Sequence, residues 1–282
     1  MTVKTKIFGV IGDPVAHSLS PAMQNAGFKE LGLKAKYEAF YVKAEGLKDF
    51  FEKIRSGEIA GVNVTIPHKE AALNLCDELS TEAAAIGAVN TVILKDEKIF
   101  GDNTDGRGYL KSLLEEFALN LSQMTVLVFG AGGASLAICY ALCGAGIAGL
   151  TISNRDVERA RNLAARLQTY FPNQHLQAVS FASAGLVAED ADLVINATSL
   201  GMNGLPWQTL DFVADLPGHA VVSDIVYRPR ETELLRAAST RGIKTHDGLG
   251  MLLHQGAIAF ECFTGHKAPI KVMCDALERE LS

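Results

Sequence analysis

Short apolar runs alternate with longer amphipathic stretches along most of the chain. In the second half, apolar runs rich in β-branched residues occur at 125–129, 150–153 and 221–225, and segments of helical character follow the first two. A strand, a helix and a further strand in succession are typical of a parallel sheet that helices cover on both faces. The pattern therefore predicts an α/β domain in the second half of the chain.

The first part of the chain alternates in the same way and predicts a second α/β domain. Its strand candidates lie at 7–11, 37–42, 62–66 and 89–94. Residues after 247 have the pattern of terminal helices without a sheet of their own, so their apolar faces must pack on one of the two domains. We predict that they return to the first. The expected division is 1–106 together with 248–282 for the first domain, and 107–247 for the second.

The composition is that of an ordinary globular protein. With 48% hydrophobic residues, 21% charged residues and a net charge of -6, the chain falls outside the class that stays disordered. The excess of acidic residues gives no electrostatic footprint for a phosphate backbone, so a nucleic acid is not expected as a partner. Five scattered cysteines without a Cys-x-x-Cys pair predict a cytoplasmic protein without a structural metal.

Neither export nor a membrane span is expected. The apolar run at 7–11 is too short for the core of a signal peptide. Residues 125–153 contain no charged side chain and exceed the roughly 20 residues that cross a bilayer. Glycines divide this stretch into a strand, a turn, a helix and a second strand, which favours a buried part of the second domain.

A glycine-rich turn follows the first strand of the second half. The sequence Gly-Ala-Gly-Gly-Ala-Ser at 130–135 has the spacing of a dinucleotide-binding turn. Gly130 suits the tight turn, and Gly132 lets backbone amides approach a pyrophosphate. The helix after Gly133 directs the positive end of its dipole at that anion. Ser135 replaces the usual third glycine or alanine, so a purely structural turn is the alternative.

The end of the next strand, about 20 residues on, is where such folds bind the adenosine ribose. Arg155 there, with Arg159 one helical turn later, supplies guanidinium groups for a ribose phosphate, which favours NADP. Asp156 can instead accept hydrogen bonds from a ribose with two free hydroxyls, so NAD stays open. These charged residues also suit the solvated start of a helix.

Four polar segments stand at turns of the first domain, where α/β folds bind ligands. They lie at 17–21, 63–69, 88–91 and 101–106. Ser20 before Pro21 also has the pattern of a helix cap, which leaves Ser18 without a structural reason. Lys69 opens a helix, where the dipole disfavours a cation, and such a placement indicates a functional role. Together the segments predict a site for a hydroxyl-rich small molecule.

These motifs, in this order, resemble those of the shikimate dehydrogenase family. The similar segments lie at 18–21, 63–69, 88–91, 102–106, 130–134, 154–155, 224–229 and 247–256. The resemblance implies an N-terminal α/β substrate domain, a Rossmann-type dinucleotide-binding domain and a site in the cleft between them. It also implies the reversible NADPH-linked reduction of 3-dehydroshikimate to shikimate, a step of chorismate and aromatic amino acid biosynthesis.

The resemblance also assigns roles to individual residues. It implies that Lys69 and Asp105 form the catalytic pair, which moves a proton while the nicotinamide cofactor carries the hydride. The implied substrate contacts are Ser18, Ser20, Thr65, Lys69, Asn90, Asp105, Tyr227 and Gln255. The implied cofactor contacts are Gly130, Ala131, Gly132, Gly133, Ala134, Asn154, Arg155, Arg159, Ile225 and Gly248. No metal is implied.

Two alternatives stay open. Family members that use NADP often have Thr after the Asn-Arg pair, whereas this chain has Asp156, and the segment at 250–255 also resembles quinate/shikimate dehydrogenases that accept NAD and quinate. A catalytically inactive cofactor-binding relative is the other alternative, but such a protein would be free to lose Lys69 or Asp105. We therefore expect an enzyme that acts as a monomer or homodimer, with shikimate and 3-dehydroshikimate as its small-molecule partners.

Overall fold

The computed structural model describes residues 5–281, and the chain divides into two compact units. The first unit contains the residues up to Gly108 and those from Leu253 onward, and the second is Tyr109–Leu252. Each unit has one six-stranded sheet, so the expected α/β fold class is confirmed. The first domain was expected to extend to residues 1–4 and 282, which lie outside the described residues.

Strands and helices alternate along most of the described chain. The strands are β1 (Lys6–Gly12), β2 (Ala35–Tyr41), β3 (Gly61–Val64), β4 (Glu78–Leu79), β5 (Thr91–Lys95), β6 (Lys98–Asp102), β7 (Thr125–Phe129), β8 (Gly149–Asn154), β9 (His175–Ser180), β10 (Leu193–Asn196), β11 (Val221–Asp224) and β12 (Lys244–His246). The helices are α1 (Ser20–Glu30), α2 (Leu47–Arg55), α3 (Lys69–Leu73), α4 (Thr81–Ile86), α5 (Asp105–Glu116), α6 (Gly133–Gly144), α7 (Val157–Tyr170), α8 (Gly185–Ala188), α9 (Glu233–Thr240), α10 (Leu249–Thr264) and α11 (Ile270–Leu281). The limits of the two units fall within α5 and α10.

The sheet of the first unit is mixed, in the order β2-β1-β3-β5-β6-β4. β1 is parallel to β2 and β3, whereas β5 is antiparallel to both β3 and β6. The start of β5 therefore lies beside the ends of its neighbours, with Thr91 paired to Asn63 on one side and to Asp102 on the other. Asn90 precedes β5 instead of following a strand, but it reaches the same sheet edge as the other polar segments.

The C-terminal helices return to the first unit, as expected. Residues from Leu253 onward belong to it, and the aromatic rings of α10 pack into its core. The rings of Phe28 and Phe260 lie 5.3 Å apart, and those of Phe8 and Phe263 lie 5.0 Å apart. The buried side chain of Gln24 also donates a hydrogen bond of 2.8 Å to the carbonyl of Gly256. The tail thus completes the core that the first part of the chain begins.

The second unit contains a fully parallel sheet in the order β12-β11-β10-β7-β8-β9. The chain starts at β7 in the middle, moves outward through β8 and β9, and then returns to β10 on the other side. This is the strand order of a Rossmann fold, whose ligands bind where the order reverses, between β7 and β10. Its central strands carry buried apolar side chains such as Leu127, Val194 and Val222, as a sheet covered on both faces requires.

The helices of residues 5–281 include none that combines the length and the apolar character needed to cross a membrane.

Candidate active site

Lys69 and Asp105 form an ion pair at the sheet edge of the first unit. Lys69 Nζ lies 2.5 Å from Asp105 Oδ2, and each residue is the first of its helix, α3 or α5. The side chain of Asp105 is 7% exposed and that of Lys69 is 23% exposed. The pair is therefore partly shielded from water but still accessible through the lysine, which is the arrangement that a proton-transfer pair requires.

The amide of Asn90 holds the other oxygen of this carboxylate. Asn90 Nδ2 donates to Asp105 Oδ1 over 2.7 Å and to Thr104 Oγ1 over 2.9 Å. Asn90 Oδ1 accepts from the Thr104 backbone N–H and from the Thr91 hydroxyl. Asn90 is almost fully buried, and both ends of its amide are engaged within the protein. In this structure it fixes Asp105.

A deeper layer of polar residues supports Asn90. Asn63 Nδ2 donates to the Asn90 carbonyl and to the Thr91 hydroxyl, each over 3.1 Å. Tyr37 donates its hydroxyl to Asn63 Oδ1 over 2.7 Å. Burial raises the pKa of Tyr37 well above its ordinary value, and contacts with Asn63 and Ser20 offset part of this shift. The Tyr37 hydroxyl therefore stays protonated and acts as a fixed donor.

The loop before Asp105 is anchored by a second set of bonds. The Asp105 backbone N–H donates to Asn103 Oδ1 over 3.1 Å, and Asn103 Nδ2 donates to the carbonyl of Ala88 over 2.9 Å. Asp102 Oδ1 accepts from the Ser80 hydroxyl, and its other oxygen pairs with Arg107. Sequence reasoning did not single out Asn103 or Arg107, because an Asp-Asn-Gly-rich segment is also typical of an ordinary turn.

Ser20 does not cap α1. α1 begins at Ser20, the position before it is Leu19, and no side chain caps the helix. Ser18 Oγ instead accepts the backbone N–H of Ser20 over 3.3 Å. The expectation that Ser20 serves as the cap was therefore wrong. The Ser20 side chain is buried next to the Tyr37 hydroxyl, which joins it to the Asn63 and Asn90 network.

Thr65 and Gln255 also lie in the first unit. Thr65 follows the end of β3, and its carbonyl accepts the backbone N–H of His68 over 3.0 Å, which places it one turn before Lys69. The Gln255 carbonyl accepts the Thr104 hydroxyl over 3.0 Å. The structure thus brings Gln255 of α10 next to the residue that precedes Asp105. Tyr227 lies in the second unit, where burial raises its pKa above the ordinary value.

The glycine-rich turn of the second unit has the geometry of an anion site. Gly130 has a φ of 111°, and a Cβ there would lie 2.8 Å from the Ala197 carbonyl oxygen, so only glycine fits. The buried Ser135 hydroxyl donates to the Gly130 carbonyl over 2.7 Å, which explains the serine at the third position. A Cβ on Gly132 or Gly133 would meet no described atom within 4 Å, so the glycines keep this space open.

The start of α6 fits the pyrophosphate of a dinucleotide. Gly132 is its N-cap and contributes no side-chain hydrogen bond, so no capping side chain covers the backbone N–H groups of the first turn. Backbone N–H groups and the positive end of a helix dipole bind phosphate oxygens well. Ala131 and Ala134, which flank these glycines, are small enough to leave the approach clear.

Two exposed arginines follow the end of β8, Arg155 directly and Arg159 in the first turn of α7. In the described chain, the side chains of Arg155 and Arg159 have no ion-pair or hydrogen-bond partner. Asp156 is the N-cap of α7, where its carboxylate accepts the backbone N–H of Glu158 over 3.1 Å. Asn154 Nδ2 donates to the Asp156 carbonyl over 2.8 Å. Asp156, the residue for which NAD was the alternative cofactor, thus serves as a helix cap, whereas the guanidinium groups of the two arginines are available to bind an anion.

Ile225 and Gly248 are neighbours in the second unit. A Cβ on Gly248 would lie 2.2 Å from the Ile225 carbonyl oxygen, so the glycine is needed for this close approach of two backbones. Sequence reasoning had related both residues to the cofactor through the resemblance alone. The described residues hold no cluster of three or more His, Cys, Asp or Glu side chains that could bind a metal ion.

Family models match most of the chain. A model described as the shikimate dehydrogenase substrate binding domain matches residues 10–92. One described as shikimate/quinate 5-dehydrogenase matches residues 112–209. One described as the shikimate 5'-dehydrogenase C-terminal domain matches residues 248–278. The three matches follow one another along the chain and together cover both units.

Individual relatives are similar over nearly their full length. A shikimate dehydrogenase (NADP(+)) from Magnetococcus marinus is 43% identical, over 96% of this chain and 94% of that protein. The structure of shikimate 5-dehydrogenase from Thermus thermophilus in complex with NADP(H) and shikimate has a TM-score of 0.85 and 38% identity, over 98% of this chain and 100% of the other. A quinate dehydrogenase from Corynebacterium glutamicum in complex with NAD has a TM-score of 0.90 and 34% identity, over 98% and 100%.

Proposed function

The chain belongs to the shikimate dehydrogenase family, and on this premise we propose that it interconverts 3-dehydroshikimate and shikimate with NADPH or NADP. This reaction is a step in the biosynthesis of chorismate and the aromatic amino acids. The observation that carries the proposal is the ion pair between Lys69 Nζ and Asp105 Oδ2 at 2.5 Å. An inactive relative that only binds the cofactor has no use for this pair, because neither residue is part of its glycine-rich turn.

The catalytic pair moves the proton of the reaction. Oxidation of a secondary alcohol breaks a C–H bond and an O–H bond, for which a nicotinamide cofactor would supply the hydride acceptor and a protein group takes the proton. Lys69 and Asp105 are hydrogen-bonded to each other, so they accept or return this proton as one coupled pair whose titration belongs to both. Asn90 keeps the Asp105 carboxylate in place during either direction.

Substrate hydroxyls and carboxylate meet a set of short polar side chains in this proposal. Ser18, Ser20, Thr65, Asn90, Tyr227 and Gln255 contact the substrate together with Lys69 and Asp105. Hydroxyl groups both donate and accept hydrogen bonds, which suits a ligand with several hydroxyls of its own. The side-chain amide of Asn90 already donates to Asp105 and Thr104. We therefore expect Asn90 to contribute less to direct substrate binding than the other residues of this set.

The second unit binds the cofactor. Backbone N–H groups at Ala131, Gly132, Gly133 and Ala134 would hold the pyrophosphate, and Gly130, whose own N–H donates to the Ser153 carbonyl over 2.8 Å, would contact it through the tight turn. Asn154, Arg155, Arg159, Ile225 and Gly248 would surround the remainder. NADP is favoured over NAD because Arg155 and Arg159 are exposed without a described partner, while the Asp156 carboxylate is occupied as a helix cap. Two guanidinium groups suit a ribose phosphate and gain little from a bare ribose.

A second candidate function is the NAD-linked oxidation of quinate. The quinate dehydrogenase of Corynebacterium glutamicum, a complex with NAD, matches with a TM-score of 0.90, so the fold accommodates that activity as well. The exposed Asp156 carboxylate is the feature that favours it, since a second interaction with a ribose hydroxyl is compatible with its exposure.

We further propose how the whole protein is organised. Residues 1–106 with 248–282 form the substrate-binding domain, and residues 107–247 form the NADP-binding domain. The protein works in the cytoplasm as a monomer or homodimer, and it needs neither a nucleic acid, a membrane nor a metal ion. Size-exclusion chromatography with light scattering tests the oligomeric state, and activity that is unchanged by a chelator tests the independence from metal.

A steady-state assay that crosses two cofactors with two substrates tests the function. We expect kcat/KM for shikimate with NADP to exceed that of the other three combinations by about tenfold or more, because a charge-assisted hydrogen bond contributes roughly 1.5–3 kcal/mol. Faster turnover of quinate with NAD would favour the second candidate. The absence of turnover in all four combinations, with NADP still bound, would identify an inactive relative.

A further inference from the structure

A buried carboxylate lies in the second unit, outside the residues assigned so far. Asp224 is the last residue of β11 and is fully buried, and it is paired in register with Asn196, the last residue of β10. Its hydrogen-bond partners in the described chain are all uncharged. Burial raises the pKa of Asp224 from 3.8 to about 6. A buried carboxylate without a cation lowers the stability of a fold, so its presence calls for a reason other than stability.

The carboxylate joins three separate segments. Asn196 Nδ2 donates to Asp224 Oδ1 over 2.9 Å, and the backbone N–H of Val226 donates to the same oxygen over 3.0 Å. The Thr232 hydroxyl donates to Asp224 Oδ2 over 2.7 Å. The partners belong to the end of β10, the segment that follows β11 and the N-cap of α9. Both oxygens are therefore engaged, by two side chains and by one backbone N–H, that of Val226.

The bond to Asn196 extends to the loop beside the glycine-rich turn. Asn196 Oδ1 accepts the backbone N–H of Thr198 over 3.0 Å, and Asn196 Nδ2 also donates to the Leu200 carbonyl over 2.9 Å. The Ala197 carbonyl is the group that a Cβ on Gly130 would approach within 2.8 Å. Through Asn196, the carboxylate thus links the loop next to the turn with the segment that follows β11.

We propose that Asp224 is a positioning residue for the reaction: its carboxylate holds the backbone of Val226, and thereby Ile225 and Tyr227 on either side, in the arrangement that catalysis requires. The inference rests on the proposed function, in which Ile225 contacts the cofactor and Tyr227 the substrate. Asp224 acts only through these neighbours, because its side chain is buried and both its oxygens are engaged.

Amide hydrogen exchange tests whether Asp224 holds the segment. Asp224→Asn keeps the size of the side chain but replaces charge-assisted hydrogen bonds by weaker neutral ones. We expect the Val226 amide to exchange about fivefold faster or more in this variant. Asp192→Asn is the matched control, because Asp192 precedes the other end of β10 and its carboxylate accepts the Thr125 backbone N–H over 2.8 Å. Unchanged exchange at Val226 in Asp224→Asn would overturn the inference.

Kinetics then test whether positioning matters for the reaction. We expect Asp224→Asn to lower kcat for shikimate about tenfold or more, while the Kd of NADP measured by calorimetry without substrate stays within about threefold. We expect Asp192→Asn to keep kcat within about twofold. If Asp224 acts through Tyr227, the loss caused by Asp224→Asn is smaller in a Tyr227→Phe background. A normal kcat in Asp224→Asn would contradict the proposal, and an equal loss in both backgrounds would contradict the part of it that concerns Tyr227.

Thr232 provides a test that does not depend on the folding of Asp224→Asn. Thr232→Ser keeps the hydroxyl that donates to Asp224, whereas Thr232→Val removes it. At a temperature where both variants are folded, we expect a kcat within about twofold of the unchanged chain for Ser and about fivefold lower for Val. Equal kcat values for Ser and Val would count against the inference. An unchanged chain that does not oxidise shikimate would contradict the proposed function instead, and Val226 exchange would then decide this inference alone.

Discussion

At the scale of single residues, the site consists of one ion pair that neutral amides hold in place. Sequence reasoning identified Lys69, Asp105 and Asn90 because polar residues interrupt an apolar pattern at these positions. It missed Tyr37, which stands at a buried position of a strand and so has the pattern of an ordinary core residue. Its hydroxyl supports the site through the hydrogen bond to Asn63, 26 residues away. A contact between residues so far apart cannot be predicted from the local hydrophobic pattern.

Removal of either member of the pair is expected to abolish most turnover. We expect Lys69→Ala and Asp105→Asn each to lower kcat by about two orders of magnitude or more, because proton transfer is needed mainly in the transition state. Shikimate binding, measured by calorimetry, should change much less. Lys98→Ala is the control, since Lys98 forms an exposed ion pair with Glu78 in the same unit. Near-normal kcat in either variant of the pair would show that the assignment is wrong.

Arg155 should distinguish the two cofactors. We expect Arg155→Ala to weaken NADP binding about tenfold to a hundredfold and to leave NAD binding nearly unchanged, because a guanidinium gains little from a bare ribose. Arg161→Ala, in the helix α7 that follows Arg155 and paired with Glu158, should change neither. Asp156→Thr keeps a capping side chain at the start of α7 and should shift preference further toward NADP. A preference for NAD that disappears in Asp156→Thr would identify Asp156 as the residue that selects the cofactor.

Asp224 should give the second unit a specific dependence on pH. Its pKa is raised from 3.8 to about 6 in the folded chain, so folding favours the protonated form. The stability from this group is complete below about pH 4 and is lost as the pH rises through about 6. The loss of unfolding free energy amounts to at most about 3 kcal/mol, because raising a pKa by one unit corresponds to about 1.4 kcal/mol.

Unfolding followed by the fluorescence of Trp207, the single tryptophan, should show this pH dependence in the unchanged chain and not in Asp224→Asn. Parallel pH profiles for the two chains would contradict it.

At the scale of elements, the edge strands β9 and β12 of the second unit were not singled out, but β7, β8 and β11 were predictable because hydrophobic period and turn chemistry agree there. The hairpin of β5 and β6 was not. Its two turn residues, Asp96 and Glu97, have φ angles of 49° and 63°, a conformation for which such turns usually carry Asn or Gly. Without either residue the local sequence contains no hairpin signal. The packing of Val92 and Ile99 in the core of the unit outweighs the unfavourable turn.

A glycine in this turn should stabilise the first unit. We expect Glu97→Gly to raise its free energy of unfolding by about 0.5–1 kcal/mol, since glycine adopts a positive φ without the steric cost that other residues meet. Glu97→Ala is the matched control, because it removes the same carboxylate but keeps the Cβ. Calorimetric unfolding should show the gain for Gly relative to Ala. Equal transitions for the two variants would mean that the turn conformation costs no stability.

At the scale of the whole molecule, the two units differ in how the chain builds them. The second is a continuous segment, whereas the first combines both ends of the described chain. Sequence reasoning anticipated this division because the C-terminal helices carry apolar faces and no strands. It could not identify which surfaces they cover, since pairs such as Phe28 and Phe260 are far apart in the sequence and equivalent aromatic residues occur throughout the chain.

The last helix should therefore contribute strongly to the first unit. Met273 of α11 is fully buried, and we expect Met273→Ala to lower the free energy of unfolding of that unit by about 2–5 kcal/mol. Lys271→Ala on the exposed side of the same helix removes only a surface ion pair with Asp275 and should leave this free energy nearly unchanged. Hydrogen exchange of α1, against which α11 packs, would report the difference. Equal exchange in both variants would show that α11 is dispensable.

The discontinuous first unit has a consequence during synthesis on the ribosome. Chains emerge from the N-terminus onward at about 5–20 residues per second, so the complete second unit leaves the ribosome before α11 does. Met23 and Phe28 are buried in the folded protein, but their side chains remain exposed to solvent until the C-terminal helices have been synthesised. The nascent first unit thus exposes apolar surface while its partner segment is still being translated, and that interval is when a chaperone would bind it.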